Sequence, residues 1–66
     1  MNLFEELIPN AGESIYSVAS NMVAKAKELR TVVFAKFNDT PLFAKENTNI
    51  EEILITYDML RGVWND

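Results

Sequence analysis

A β-hairpin predicted near the middle of the chain has two apolar faces, and this feature constrains the fold most. Residues 31–37 read TVVFAKF, a β-branched and aromatic run typical of a strand, and LFAK follows at 42–45. Asn38 and Asp39 tolerate left-handed backbone and predict a two-residue turn, while Pro41 places the second strand at its start or at an edge. Pairing across the turn gives a first face of Val33, Ala35, Phe37, Leu42 and Ala44, and a second face of Val32, Phe34 and Phe43 rimmed by Lys36 and Lys45. The fold must therefore supply cover for two surfaces of the same hairpin.

Two helices are predicted before the hairpin. A short helix within residues 2–8 begins at Asn2 and is closed by Pro9, which pushes the preceding residue out of the α region. A long amphipathic helix follows, with Asn10 as its N-cap and Glu13 at the third position of a capping box. Its apolar stripe at helical period consists of Ile15, Val18, Ala19, Met22, Val23, Ala26 and Leu29.

A C-terminal helix is predicted within residues 46–62. Thr48 as the N-cap and Glu51 three residues later form a capping box, and Gly62 supplies the stop. The core stripe of this helix consists of Ile50, Ile53, Leu54, Tyr57 and Leu60, with Ile55 and Met59 in a second apolar strip. The predicted order is α-α-β-β-α, a short helix, a long helix, a two-stranded antiparallel hairpin and a helix. Residues 1–66 are thus expected to form a single small α+β domain.

A chain of 66 residues has few ways to stabilise such a core. Domains this small bury only roughly 60% of their unfolded surface, and they commonly rely on disulfides, a metal or oligomerisation. Because the chain has no Cys and no His, oligomerisation is the aid that remains. We expect a dimer in which the 31–37 strands pair edge to edge or the second faces stack. The alternative is a monomer in which the short first helix and Trp64 cover the second face.

The composition argues against an enzyme. Without His and Cys, the commonest general base and the commonest transition-metal ligands are missing. Gly12 and Gly62 are the only glycines, so there is no glycine-rich phosphate loop. Adjacent glutamates such as Glu5 and Glu6 would point about 100° apart on a helix and do not form a catalytic dyad. We predict no catalytic residue, no metal site and no bound cofactor.

Charge and hydropathy narrow the class of protein further. The net charge is −4, and an acidic protein gains nothing from releasing counterions of a phosphate backbone, which argues against nucleic-acid binding. The start MNLFEELIPN is acidic where a signal peptide would be basic, and no stretch reaches the roughly 20 apolar residues that span a bilayer. We expect a cytoplasmic protein that does not associate with membranes.

Exposed apolar and aromatic side chains are the predicted contacts with a partner, because aromatic residues dominate interface hot spots. The predicted interface residues are Val32, Phe34, Phe43, Tyr16 and Trp64. An anion site assembled by an oligomer near the hairpin is a second hypothesis, and its predicted contacts are Lys36, Lys45, Lys25 and Arg30. A solvated, salt-bridged surface is the plainer interpretation of these cations.

Part of the chain resembles small orphan accessory proteins of phages and prophages. In that pattern a strand ends in Phe-Asn, a turn leads to a second strand with Leu, and a Thr cap precedes an acidic amphipathic helix that ends near a Tyr. The matching residues are Phe37, Asn38, Leu42, Thr48, Glu51, Glu52 and Tyr57. The resemblance implies a viral accessory protein that binds a host enzyme or defence component, in which case it would act in the host cytoplasm. It implies no site residues.

These observations predict a non-enzymatic binding protein. The first hypothesis is an inhibitor or adaptor of phage type that binds and occludes a host protein as a homo-oligomer. The alternative is an oligomeric small-ligand binder that holds or sequesters a nucleotide or phosphate. A structural oligomer subunit is a third hypothesis.

Overall fold

The computed structural model describes residues 4–64, and side chains within that range up to Gly62. Two helices and a three-stranded sheet make an α+β fold, which confirms the predicted fold class. The elements are β1 (Phe4–Glu6), α1 (Ile15–Leu29), β2 (Val32–Phe37), β3 (Thr40–Ala44) and α2 (Ile50–Trp64). The order is therefore β-α-β-β-α rather than the predicted α-α-β-β-α.

The predicted short first helix is wrong, because the segment contains strand β1 instead. β1 runs parallel to β2, with Phe4 opposite Val32 and Glu6 opposite Phe34. Just beyond the strand, the Leu7 amide donates a hydrogen bond of 2.8 Å to the Phe34 carbonyl. A helix closed after two turns by a proline gains too few hydrogen bonds to be stable, whereas the edge of β2 offers a ready ladder of backbone partners.

The position of β1 also corrects the predicted role of the 31–37 strand. This strand, β2, lies in the centre of the sheet and is paired on both sides, in the order β1-β2-β3. It therefore has no free edge with which a second hairpin could pair. The free edges belong to β1 and β3, and dimerisation stays a prediction.

The β2–β3 hairpin has the predicted turn and register, within a sheet of three strands rather than two. Asn38 and Asp39 both have positive φ, 49° and 64°, as a type I′ turn requires. Phe37 pairs with Thr40, and the register continues to Val33 opposite Ala44. Local turn chemistry thus sets the pairing of these two strands.

The N-cap of helix α1 lies four residues after the predicted N-cap, Asn10. The Ser14 hydroxyl accepts a hydrogen bond of 3.1 Å from the Ser17 amide and is the N-cap. Asn10 and Glu13 do not form the predicted capping box: the Glu13 amide donates to the Asn10 backbone carbonyl at 3.1 Å, which closes a turn before the helix, and the Glu13 side chain accepts from the Asn10 amide at 3.0 Å. Gly12, with φ of 82°, supplies the left-handed residue of that turn.

Helix α2 begins one residue later than predicted and runs past its predicted stop. Asn49 and Glu52 form the capping box, since each side chain accepts a bond from the other's amide at 3.0 and 3.3 Å. The Thr48 hydroxyl instead accepts from the Lys45 amide and closes the connection from β3. The helix continues through Gly62 to Trp64.

Both helices pack on the same side of the sheet and contact each other there. The core between the two layers is apolar and includes the predicted first face of the hairpin together with the helix stripes. Its buried members are Val18, Ala19, Met22, Val23, Ala26, Val33, Ala35, Leu42, Ala44, Ile53 and Tyr57. The opposite side of the sheet is not covered by either helix.

Candidate functional site

We call the uncovered side of the sheet the open face. Side chains alternate along a strand, so the strand residues that do not point into the core point to this face. The open face consists of Phe4, Glu6, Val32, Phe34, Lys36, Pro41 and Phe43. The burial pattern follows the same alternation, since every second residue of β3 is buried and the others are exposed. The face is a surface of the single chain that its own helices leave free.

Three phenylalanines form a continuous aromatic row across the three strands of the open face. The Phe4 and Phe34 rings meet edge to face with centroids 5.5 Å apart, and Phe34 lies 6.2 Å from Phe43. The two outer rings remain 57% and 62% exposed. Aromatic pairs at these distances attract each other, so the row is held in place although it faces solvent. A fixed, exposed aromatic surface of this kind is typical of a binding site.

Charged side chains lie around this row at defined positions. Glu6 stands opposite Phe34 on β1, and Lys36 follows two residues after Phe34 on β2. Lys45 is the residue after β3, beyond the pair of Val33 and Ala44, and its amide donates to the Thr48 hydroxyl in the connection to α2. The strand residues of the open face therefore carry one cation and one anion beside an apolar centre, although the whole chain carries a net charge of −4.

The edges of the sheet do not invite a further strand. The part of β1 that the structure describes has only three residues, Phe4–Glu6. On β3, Pro41 lies at a position whose backbone points outwards, because the hydrogen-bonded pair that closes a two-residue hairpin is Phe37 and Thr40. A short strand and a proline are both ways in which proteins block edge pairing. Binding through the face is thus better supported than binding through an edge.

The hairpin that carries the row is fixed to helix α2 at its turn. The Asn38 side-chain amide donates to the Tyr57 hydroxyl at 3.1 Å, and the Phe37 ring meets the Tyr57 ring edge to face at 5.5 Å. The Arg61 guanidinium lies 5.4 Å from the centre of the same ring, which is cation–π distance. These contacts hold the turn against the helix layer and leave the other side of the strands free.

A second polar anchor lies at the start of α1. The Glu13 carboxylate accepts hydrogen bonds from the Asn10 amide at 3.0 Å, the Ser17 hydroxyl at 2.8 Å and the Asn21 side chain at 2.9 Å. These hydrogen bonds lower the pKa of Glu13, and the bond from the Asn10 amide has the largest effect, followed by the bond from Ser17. Desolvation raises the pKa by a smaller amount, and the bond from Asn21 lowers it slightly. The chain leading from β1 to α1 is thereby fastened to the helix.

The predicted interface residues are only partly brought together. Val32, Phe34 and Phe43 share the open face, whereas Tyr16 lies on the far side of the sheet. Tyr16 borders a shallow groove of about 500 Å³ between the two helices, with Lys27 and Leu54 also in its lining. The side chain of Trp64 lies outside the described residues.

The predicted anion-binding residues are not gathered into one pocket. Lys36 and Lys45 belong to opposite ends of the hairpin, separated by about 13 Å along the strands. Lys25 lies on α1, whose buried residues pack on the covered side of the sheet, and Arg30 ends that helix in a left-handed conformation. The structure thus separates these four cations rather than gathering them into one site.

Phe4 is the member of the aromatic row that the sequence-based prediction missed. It was assigned to a helix, and its partner Phe34 is distant in sequence, so no local pattern linked the two rings. The alternation of Phe4, Glu5 and Glu6 between the faces of β1 is the available signal, and three residues are too few for a reliable period.

Two kinds of feature are absent from the described part of the chain, a cluster of metal ligands and a membrane-spanning helix. Among residues 4–64 there is no group of three or more His, Cys, Asp or Glu placed to hold a metal ion. Neither helix within these residues is long and apolar enough to cross a bilayer.

Comparisons with protein-family models, with curated proteins and with solved structures gave no match to this chain.

Proposed function

We propose that the protein is a non-enzymatic binding protein, an inhibitor or adaptor that acts by occluding a surface of a partner protein. The observation that carries this proposal is the aromatic row of Phe4, Phe34 and Phe43 on the open face. Aromatic side chains that stay exposed yet ordered lose little conformational freedom on binding, which is why they dominate interface hot spots. A partner in a host cell accords with the resemblance to phage accessory proteins.

A small-ligand site is less well supported than a protein interface. A nucleotide or phosphate site needs donors that converge in a concave pocket. Lys36 and Lys45 stand at opposite ends of the hairpin, and neither lies in a concave pocket with the other. A flat apolar surface with a charged rim is instead the usual anatomy of a protein interface.

A single-stranded nucleic acid is the other ligand that stacks on aromatic rings of an open sheet. Such binding also needs a continuous positive path for the phosphates. On the open face Glu6 interrupts that path beside Phe34, and the chain as a whole is acidic. The charge pattern therefore favours a protein partner.

The test compares two serine substitutions of nearly equal exposure on opposite sides of the molecule. Phe43 on the open face is 62% exposed and Ile55 on α2 is 59% exposed. We expect Phe43→Ser to abolish capture of the partner from a lysate by the immobilised chain, and Ile55→Ser to leave capture unchanged. Circular dichroism of both variants controls for folding.

Two results would contradict the proposal. One is capture that depends on Ile55 and not on Phe43. The other is binding of a non-protein ligand at the same face, seen as a rise in melting temperature with nucleotides or as oligonucleotide anisotropy that Phe43→Ser removes.

A further inference from the structure

We propose that, without another partner, the open face binds a second copy of the chain, and that the strands of the two sheets cross at nearly right angles. This proposal rests on the proposed function, because it takes the open face to be an interface. It goes further by naming an occupant and a geometry. Its basis is the arrangement of the charged side chains Glu6 and Lys36 around Phe34.

Glu6 and Lys36 lie in perpendicular directions from Phe34. Glu6 is opposite Phe34 on the neighbouring strand, about 5 Å away across the sheet. Lys36 is two residues further along β2, about 7 Å away along the strand. Both side chains are directed to the open face by the alternation of the strands. The face therefore carries one negative and one positive group at a right angle about its aromatic centre.

A two-fold dimer is self-complementary, so the symmetry axis decides which groups meet. An axis along the strands places Lys36 against its own copy, and an axis across the strands places Glu6 against its own copy. An axis on the diagonal between Glu6 and Lys36 places each Lys36 opposite the Glu6 of the second copy, twice. The other diagonal axis through Phe34 places neither Glu6 nor Lys36 opposite a charged residue of this set. Of these four axes through Phe34, only one thus pairs Glu6 with Lys36.

The same diagonal axis matches the apolar groups. Phe34 lies near the axis and meets its own copy, while Phe43 falls over Val32 of the second copy. Phe4 falls near the second copy's Pro41. A diagonal axis makes the strands of the two sheets perpendicular, which is one of the two established modes of sheet packing.

The size of the face predicts a weak and reversible dimer. Three strands about 5 Å apart, the longest of six residues, cover a flat area of at most roughly 15 by 20 Å. That area is well below the approximately 800 Å² per partner of a standard stable interface. Self-association should therefore depend on concentration and leave the face available to a tighter partner.

The test is a charge swap followed by sedimentation equilibrium across a concentration series. Glu6→Lys places lysines opposite each other, and Lys36→Glu places glutamates opposite each other, so each variant alone should dimerise on the order of tenfold more weakly than the unchanged chain. An equimolar mixture should associate like the unchanged chain, because the mixed dimer contains two Lys–Glu pairs. Lys27→Glu, on α1 and therefore on the covered side of the sheet, is the matched control, and alone it should dimerise like the unchanged chain.

Several results would overturn the inference. They are a monomer at every concentration, single variants that associate normally, or a mixture that fails to recover. If partner capture nevertheless depends on Phe43, the proposed function stands and only the second copy is refuted. If Phe43→Ser changes neither self-association nor capture, both proposals fall.

Discussion

The Glu13 carboxylate shows how a single residue can organise a chain that has no disulfide. It lies just before the N-cap of α1 and receives hydrogen bonds from a backbone amide, a hydroxyl and a side-chain amide. Hydrogen bonds donated to a carboxylate favour its charged form and lower its pKa. The folded chain therefore binds this proton less readily than the unfolded chain does.

Glu13 should make the stability of the fold depend on pH at the acidic end. A lowered pKa contributes stability above the unfolded value, about 4.3 for Glu, and this contribution is lost as the pH falls through the folded pKa. Glu13→Gln should lower the free energy of unfolding at pH 7, and the gap to the unchanged chain should narrow at pH 3. Urea denaturation at the two pH values measures this difference, with Glu28→Gln near the end of α1 as the control. A gap that stays constant with pH would refute this role.

The helix caps mark the limit of prediction from single residues. The sequence predicted Asn10 and Thr48, whereas the structure uses Ser14 and Asn49. Asn, Ser and Thr are all good N-caps, so local preference cannot choose among these four residues. The choice depends on where the chain leaves the sheet, which is a property of the tertiary fold.

Among the elements, the β2–β3 hairpin and strand β1 differ in how far the sequence determines them. The hairpin turn, its register and its first face follow from residues next to each other in the chain, and they were predictable. β1 is a strand because β2 offers it an edge, and β2 lies beyond α1 in sequence. The aromatic row was therefore predicted only for its hairpin half, Phe34 and Phe43.

A substitution at one of the two turn residues of the hairpin should stabilise the fold. Asp39 has a φ of 64° and is left-handed, a conformation that costs an L-residue roughly 1 kcal/mol or less when it is Asp. Asp39→Gly should therefore raise the free energy of unfolding by up to about 1 kcal/mol. Asn38→Gly is the matched comparison and should not stabilise the fold, because it removes the bond to Tyr57. Thermal denaturation measures the stability of both variants. Equal stabilisation by both would contradict the role of the hydrogen bond between Asn38 and Tyr57.

For the whole molecule, the sheet divides into a side that stabilises the fold and a side that does not. Leu42 and Phe43 are neighbours on β3, yet Leu42 is fully buried in the core and Phe43 is mostly exposed on the open face. Burial of apolar surface is the main stabilising term, so the two residues should contribute very differently. The stability of the fold and the proposed binding thereby depend on adjacent residues of β3, Leu42 and Phe43.

Two substitutions measure this separation. Leu42→Ala should cost about 2–5 kcal/mol of unfolding free energy, because it leaves a cavity in the core. Phe43→Thr should change it by less than about 1 kcal/mol, since Thr is favourable in strands and the ring is mostly in water. Chemical denaturation of the two variants at low protein concentration, where the chain is monomeric, makes the comparison. A large loss with Phe43→Thr would mean that the row is part of the monomer's core.

The parallel pairing of β1 with β2 has a consequence for how the molecule comes into being. During synthesis β1 leaves the ribosome first, but it has no partner until α1 and β2 have followed. The hairpin needs only its own turn and can form without it. Because Phe4 joins the row with β1, the complete row exists only once the N-terminal strand has docked. A partly folded or nascent chain therefore lacks the finished surface, and the proposed binding through this surface would be confined to chains that have completed their folding.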